Sequence, residues 1–117
     1  MSLVIDLFDP ASGDYAYLNA VEHDAAGFER YRSALWGARA LKERGARFFP
    51  QLNHGDLFVY PADLDAFTAE CQMILGDAAA IADEADGPDA EQLRRYMTRF
   101  LTIITEARDR GVGVCIS

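Results

Sequence analysis

Chemistry in a short chain is first sought among its histidines, cysteines, serines and clustered carboxylates. Here the nitrogen and sulfur candidates are His23, His54, Cys71 and Cys115, and no two of them share metal-ligand spacing. The oxygen-rich run Asp83-Glu84-Asp86-Asp89 lacks the alternating acids, central glycine and distal glutamate of a calcium loop. No metal site and no cofactor is expected. Nucleophilic catalysis finds no support either. The serines are Ser2, Ser12, Ser33 and Ser117, none within a G-x-S-x-G turn. His54-Gly55-Asp56 could in principle supply a base and its orienting carboxylate, but a loop histidine beside Gly and Asp is more often a turn residue. Gly111-Val112-Gly113 follows a helical pattern, whereas phosphate-cradling glycines precede one. No catalytic residue is assigned, and the expected protein is not an enzyme.

Charge is the less ordinary signal. The 117-residue chain has a formal net charge of −8. That argues against nucleic acid, whose phosphates demand a basic face, and against an anionic membrane surface. Residues 48–93 hold ten acids and no base, while residues 24–47 hold six bases against three acids and residues 94–117 five bases against two. Within the acidic block, Asp63, Glu70, Asp77 and Glu84 recur every seven residues. Two uses of that stripe are weighed. Asp63 and Glu70 could pair with Arg32 and Arg39, also seven apart, and set the register of two helices. The C-terminal part, Asp77, Asp83, Glu84, Asp86 and Asp89, holds more charge than such pairs can neutralise. It is expected to be an exposed acidic face that docks a basic protein partner.

A second candidate is the aromatic loop of Phe48, Phe49, Phe58 and Tyr60 around Pro50-Gln51-Leu52-Asn53-His54. Most of it should be core. Phe49 or Tyr60 beside His54 would serve as a recognition anchor if left exposed.

The elements that must position these residues follow from periodicity. Length and a hydrophobic content of 50% fit one globular domain spanning 1–117. Leu3, Ile5 and Leu7 alternate with Val4, Asp6 and Phe8, as in a strand. Asp9-Pro10-Ala11-Ser12-Gly13-Asp14 is turn chemistry, and Tyr15, Tyr17 and Leu18 could form a returning arm. From an Asp24 cap, Phe28, Tyr31, Leu35 and Ala38 predict a first helix ending at Gly45. Gly27 and Gly37 weaken it by about 1 kcal/mol each relative to Ala. A turn at Asn53-His54-Gly55-Asp56 leads to a short strand at 57–60. Leu64, Phe67, Cys71, Ile74, Ala78 and Ile81 predict one long helix over 61–85, with Pro61 in its first turn. Leu93, Met97, Phe100, Ile104 and Ala107 predict a third helix from an Asp89 cap to Arg110, stopped by Gly111. Val112 to Ile116 reads as a terminal strand whose natural neighbour is the N-terminal one. The expected fold is α+β, three main helices on a small antiparallel sheet.

The Leu-Val-Ile-Asp-Leu-Phe-Asp start, the Phe-Phe-Pro-Gln-Leu loop, the Leu-x-x-Phe-x-x-Glu-Cys helix and the terminal Gly-Val-Gly-Val-Cys-Ile strand together carry a resemblance. In length, charge and layout the chain resembles the small acidic immunity proteins of bacterial polymorphic-toxin systems. The resemblance implies a non-enzymatic inhibitor that covers a basic toxin's active site with acidic side chains. Two alternatives stay open: a homodimeric regulatory or scaffold protein, and a small-molecule-binding or accessory enzyme domain using the loop around His54. The N-terminus lacks the basic and long apolar stretches of a signal peptide, and the two cysteines read as buried reduced thiols. A cytoplasmic location is expected.

Overall fold

Alternation in the first strand gives Ile5 and Leu7 to one side of the sheet and Asp6 and Phe8 to the other, and the whole architecture follows that division. The computed structural model describes residues 3–13, 15, 16 and 26–117, with Tyr15 and Ala16 described by their backbone alone. The fold is α+β. Four strands, β1 (Ile5–Phe8), β2 (Tyr15–Ala16), β3 (Leu57–Val59) and β4 (Gly113–Ile116), form an antiparallel sheet of order β2-β1-β4-β3. The terminal strand does pair with the N-terminal one, Ile5 opposite Ile116 and Phe8 opposite Gly113. The turn between β1 and β2 is closed by Asp9, whose Oδ1 accepts from the Ala11 N–H at 2.9 Å, and by Gly13 at φ 77°. The expected continuation through Tyr17 and Leu18, the Asp24 cap and His23 lie outside the described residues.

The inner sheet face, with Ile5, Leu7, Leu57, Val59, Val114 and Ile116, packs against the helices. The helices are α1 (Arg39–Glu43), α2 (Leu64–Gly76), α3 (Ala78–Glu84) and α4 (Ala90–Arg110). The third predicted helix is present as α4 with both expected ends. Asp89 caps it by accepting from the Gln92 N–H at 2.8 Å. At the other end Gly111, at φ 69°, and Val112 return N–H groups to the carbonyls of Arg108 and Ala107, which is a Schellman closure.

The other two predicted helices are broken, and each break has a cause. The expected single helix over 61–85 is a 3-10 turn at Pro61–Asp63, then α2, then α3. Gly76 and Asp77 interrupt it: Gly is a poor helix former, and Asp77 sits at φ −104°, ψ 16° with its side chain drawn toward Arg44. The expected helix from Asp24 to Gly45 is a π-helical turn, Arg32–Trp36, followed by extended Ala38 and the short α1. The wide turn allows Leu35 and Trp36, adjacent in sequence, both to be buried. Its closing residue Gly37 donates to the Arg32 carbonyl at 2.8 Å and lies against Asn53. A Cβ at Gly37 would stand 2.6 Å from the Asn53 Cβ, so the close approach of these segments requires glycine here. The expected Gly45 stop is present, again as a Schellman closure through Gly45 and Ala46.

The two glycines therefore make opposite predictions under urea unfolding. Gly76 is exposed with open space around its Cα, so Gly76→Ala should raise stability by about 0.5–1 kcal/mol. Gly37→Ala should lower it by about 1–3 kcal/mol through the Asn53 clash.

Candidate protein-binding surfaces

Glu70 comes first because it leaves the acidic stripe. It is buried, and its carboxylate accepts the N–H groups of three successive residues: Arg47 at 2.5 Å, Phe48 at 3.1 Å and Phe49 at 2.9 Å. That geometry turns the chain so that Phe49 enters the centre of the core. There it stacks on Trp36 with centroids 4.6 Å apart and meets Phe67 and Phe100, each at 5.2 Å. Phe49 is wholly buried and is no surface anchor, contrary to the expectation of a recognition loop there. The signal in the sequence was slight: Phe67, Glu70 and Ile74 are spaced three and four apart, which puts Glu70 on the edge of the apolar arc.

The expected register pairs are replaced by others. Arg32 bonds Glu29 and Asp56, and donates to the carbonyls of Gly55 at 2.5 Å and Leu52 at 3.3 Å, tying down the loop before β3. Arg39 makes only a local pair with Glu43. The cross-element role falls to Arg44, which reaches Asp77 at 3.3 Å and Glu84 at 2.7 Å and joins the end of α1 to the α2–α3 break and to the end of α3. The hydrogen bond from Arg44 holds the Glu84 carboxyl below its ordinary range. Arg108 pairs with Asp65 at 2.6 Å. Structural pairing thus lies at the Asp77–Glu84 end as well. Among the described residues, Asp63, Asp83 and Asp86 stand exposed without a counter-ion, and Asp89 is an exposed helix cap.

His54 and Tyr60 are exposed, Tyr60 to 51%. Asp56 is held by Arg32, so it does not orient His54. Tyr60 belongs instead to an aromatic group on the outer face of the sheet. Phe8 lies over Gly113, where an added Cβ would strike its ring, and meets Phe58 and Tyr60 edge-on, each at 5.4 Å. Asp6 and Phe58 flank Cys115 on that same face, through the registers Asp6 to Cys115 and Phe58 to Cys115. Asp6 is 7% exposed and its Oδ1 has no hydrogen-bond partner. Burial raises its carboxyl above the usual aspartate value. Burial, with the charges of Asp56 and Asp6, pushes the Cys115 thiol up to about 12, and burial likewise raises Cys71, so neither thiol is activated. Sequence alternation assigned Asp6 and Phe8 to one face but could not say that Phe58 and Tyr60 would join them.

Among the described residues no group of three or more His, Cys, Asp or Glu is placed to hold a metal ion, and no helix is long and apolar enough to cross a membrane. Compared with family models, with curated proteins and with solved structures, the chain finds no match.

Two substitutions test these placements. Glu70→Ala should cost about 3 kcal/mol or more, because three N–H groups lose a charged acceptor, and Glu70→Gln should cost less. Denaturant midpoints report both. For Asp6 the sign is fixed by its raised pKa: the folded chain holds the proton more tightly than the unfolded one. Its stability contribution is therefore best at low pH and declines as pH rises from 3.8 through the folded value. Asp6→Asn removes that loss, so its stability gain over the native chain should be larger at neutral pH than near pH 4.

Proposed function

We propose that this chain is a non-enzymatic protein-binding module, an inhibitor of the immunity type in kind, that docks a basic protein partner through its acidic end. The observation that carries this reading is the charge left over after internal pairing. Arg32, Arg44 and Arg108 are committed to Asp56, Asp65, Asp77 and Glu84, yet Asp83 and Asp86 remain exposed and unpaired where α3 turns toward α4. Arg44 answers two carboxylates with one positive charge, so the whole α3 end keeps a negative field. Such a face raises the encounter rate with a basic surface and rejects acidic ones, which suits a protein that must find one partner quickly. Work in the cytoplasm accords with the two buried free thiols.

The experiment pairs Asp83→Asn with Asp86→Asn. Neither side chain holds an internal contact, so thermal stability should stay within about 0.5 kcal/mol of the native chain. Association with the basic partner, identified by cross-linking in the native host and followed by stopped flow, should slow by about 3- to 10-fold at low salt. The native chain's own affinity should fall as ionic strength rises. Salt-independent affinity, or a double variant that associates as fast as the native chain, overturns the reading.

A further inference from the structure

We infer that the outer face of the sheet holds a receptor for a guanidinium group, the arginine side chain of a partner protein, built from Phe8, Phe58, Tyr60 and Asp6. The site is separate from the acidic end at Asp83 and Asp86.

Three observations converge on it. The first is exposure. Phe58 and Tyr60 are 39% and 51% exposed, whereas Phe8 between them is nearly covered. The planes of Phe58 and Tyr60 stand at 87° and 81° to Phe8, each 5.4 Å away by centroid. Phe8, pressed onto Gly113, packs edge-on against both of the exposed rings. Rings kept at the surface in this way present π faces and edges that bulk hydrophobic packing would have hidden.

The second observation is the unpartnered acid. Asp6 is more than nine-tenths buried on this face, yet its Oδ1 makes no hydrogen bond. A buried carboxylate without a donor is costly, and a fold retains one most readily where a donor arrives from outside. Asp6 and Phe58 sit on either side of Cys115 in the ladder, about 10 Å apart by strand spacing, a span that one arginine head and its stem can bridge.

The third is charge. Asp56 precedes β3, and its field and that of Asp6 both act at Cys115. No basic residue occurs anywhere in residues 48–93. The face therefore combines exposed aromatic rings with the unpaired Asp6 carboxylate, which is what attracts a cation. Guanidinium fits better than ammonium: it is planar, weakly hydrated, able to stack on Phe58 or Tyr60 and to offer a fork of donors to a carboxylate.

The test uses isotope-labelled full chain titrated with Nα-acetylarginine amide and, separately, with its neutral isostere Nα-acetylcitrulline amide, followed by NMR. Arginine amide should give saturable shifts at the Phe8, Phe58 and Tyr60 rings and at Asp6 Cβ, and the citrulline amide should bind at least tenfold more weakly. Phe58→Leu with Tyr60→Leu keeps apolar bulk, so the amide spectrum should show an intact fold while arginine affinity drops about tenfold. Asp6→Asn should weaken it about threefold or more. Equal binding of the two probes, or undiminished arginine binding in the leucine pair, overturns the proposal. Shifts confined to Asp83 and Asp86 also overturn it, and would leave the acidic-end reading standing. Loss of the acidic-end effect with arginine binding retained separates the two in the other direction.

Discussion

Three backbone N–H groups converging on the buried Glu70 carboxylate fix the path on which the core depends. They belong to consecutive residues, Arg47 to Phe49, where an irregular stretch enters a 3-10 turn. Without an acceptor these donors would be stranded against the core. With a charged one, the stretch becomes a fixed corner, each such bond contributing about 1.5–3 kcal/mol. The corner delivers Phe49 between Trp36, Phe67 and Phe100, and those rings come from three other parts of the chain. It also sets where the 3-10 turn at Phe49–Asn53 begins, and hence where Asn53 meets Gly37 and where the loop to β3 starts.

The contrast between α4 and the two broken helices shows what kind of information a sequence carries openly. The ends of α4 are written locally: an aspartate three residues before the N–H it caps, and a glycine that can adopt positive φ. Nothing distant is needed to place them. The breaks at Gly37 and at Gly76-Asp77 depend on partners far along the chain, Asn53 in one case and Arg44 in the other. Periodicity runs straight through both because a kinked helix still needs apolar residues on its inner side. Glu70 departs from the expected acidic stripe for a related reason. A seven-residue repeat groups it with Asp63, Asp77 and Glu84, but burial depends on whether a loop supplies donors, and a loop's path is not periodic.

The acidic block turns out to be divided by function in the folding sense before any partner is considered. Glu70 is a corner post, Asp56 and Asp65 are ends of ion pairs, Asp77 and Glu84 share one arginine, and Asp89 is a cap. Asp63, Asp83 and Asp86 are left exposed outside these roles among the described residues, and the exposed rings Phe58 and Tyr60 lie with Asp6 on the sheet's outer face. The expected anchor Phe49 lies in the core, while Tyr60 and Phe58 of the same loop stand at the surface against a buried Phe8. Aromatic content alone could not separate these roles, because strand alternation and the Glu70 corner decide which rings turn inward.

The position of β4 between β1 and β3 has a kinetic consequence. Its pairing of Ile116 with Ile5 and with Leu57 joins segments from both halves of the chain, so until β4 docks β3 has no sheet neighbour and β1 has only β2. The local structure of α4 and its Schellman end can form early and aim β4 back toward the sheet. Ring closure over such a span is entropically slow, which makes docking of β4 the natural late step of folding. Until it happens, the outer face on which Asp6 and Phe58 flank Cys115 does not exist. That face is therefore a property of the finished sheet alone.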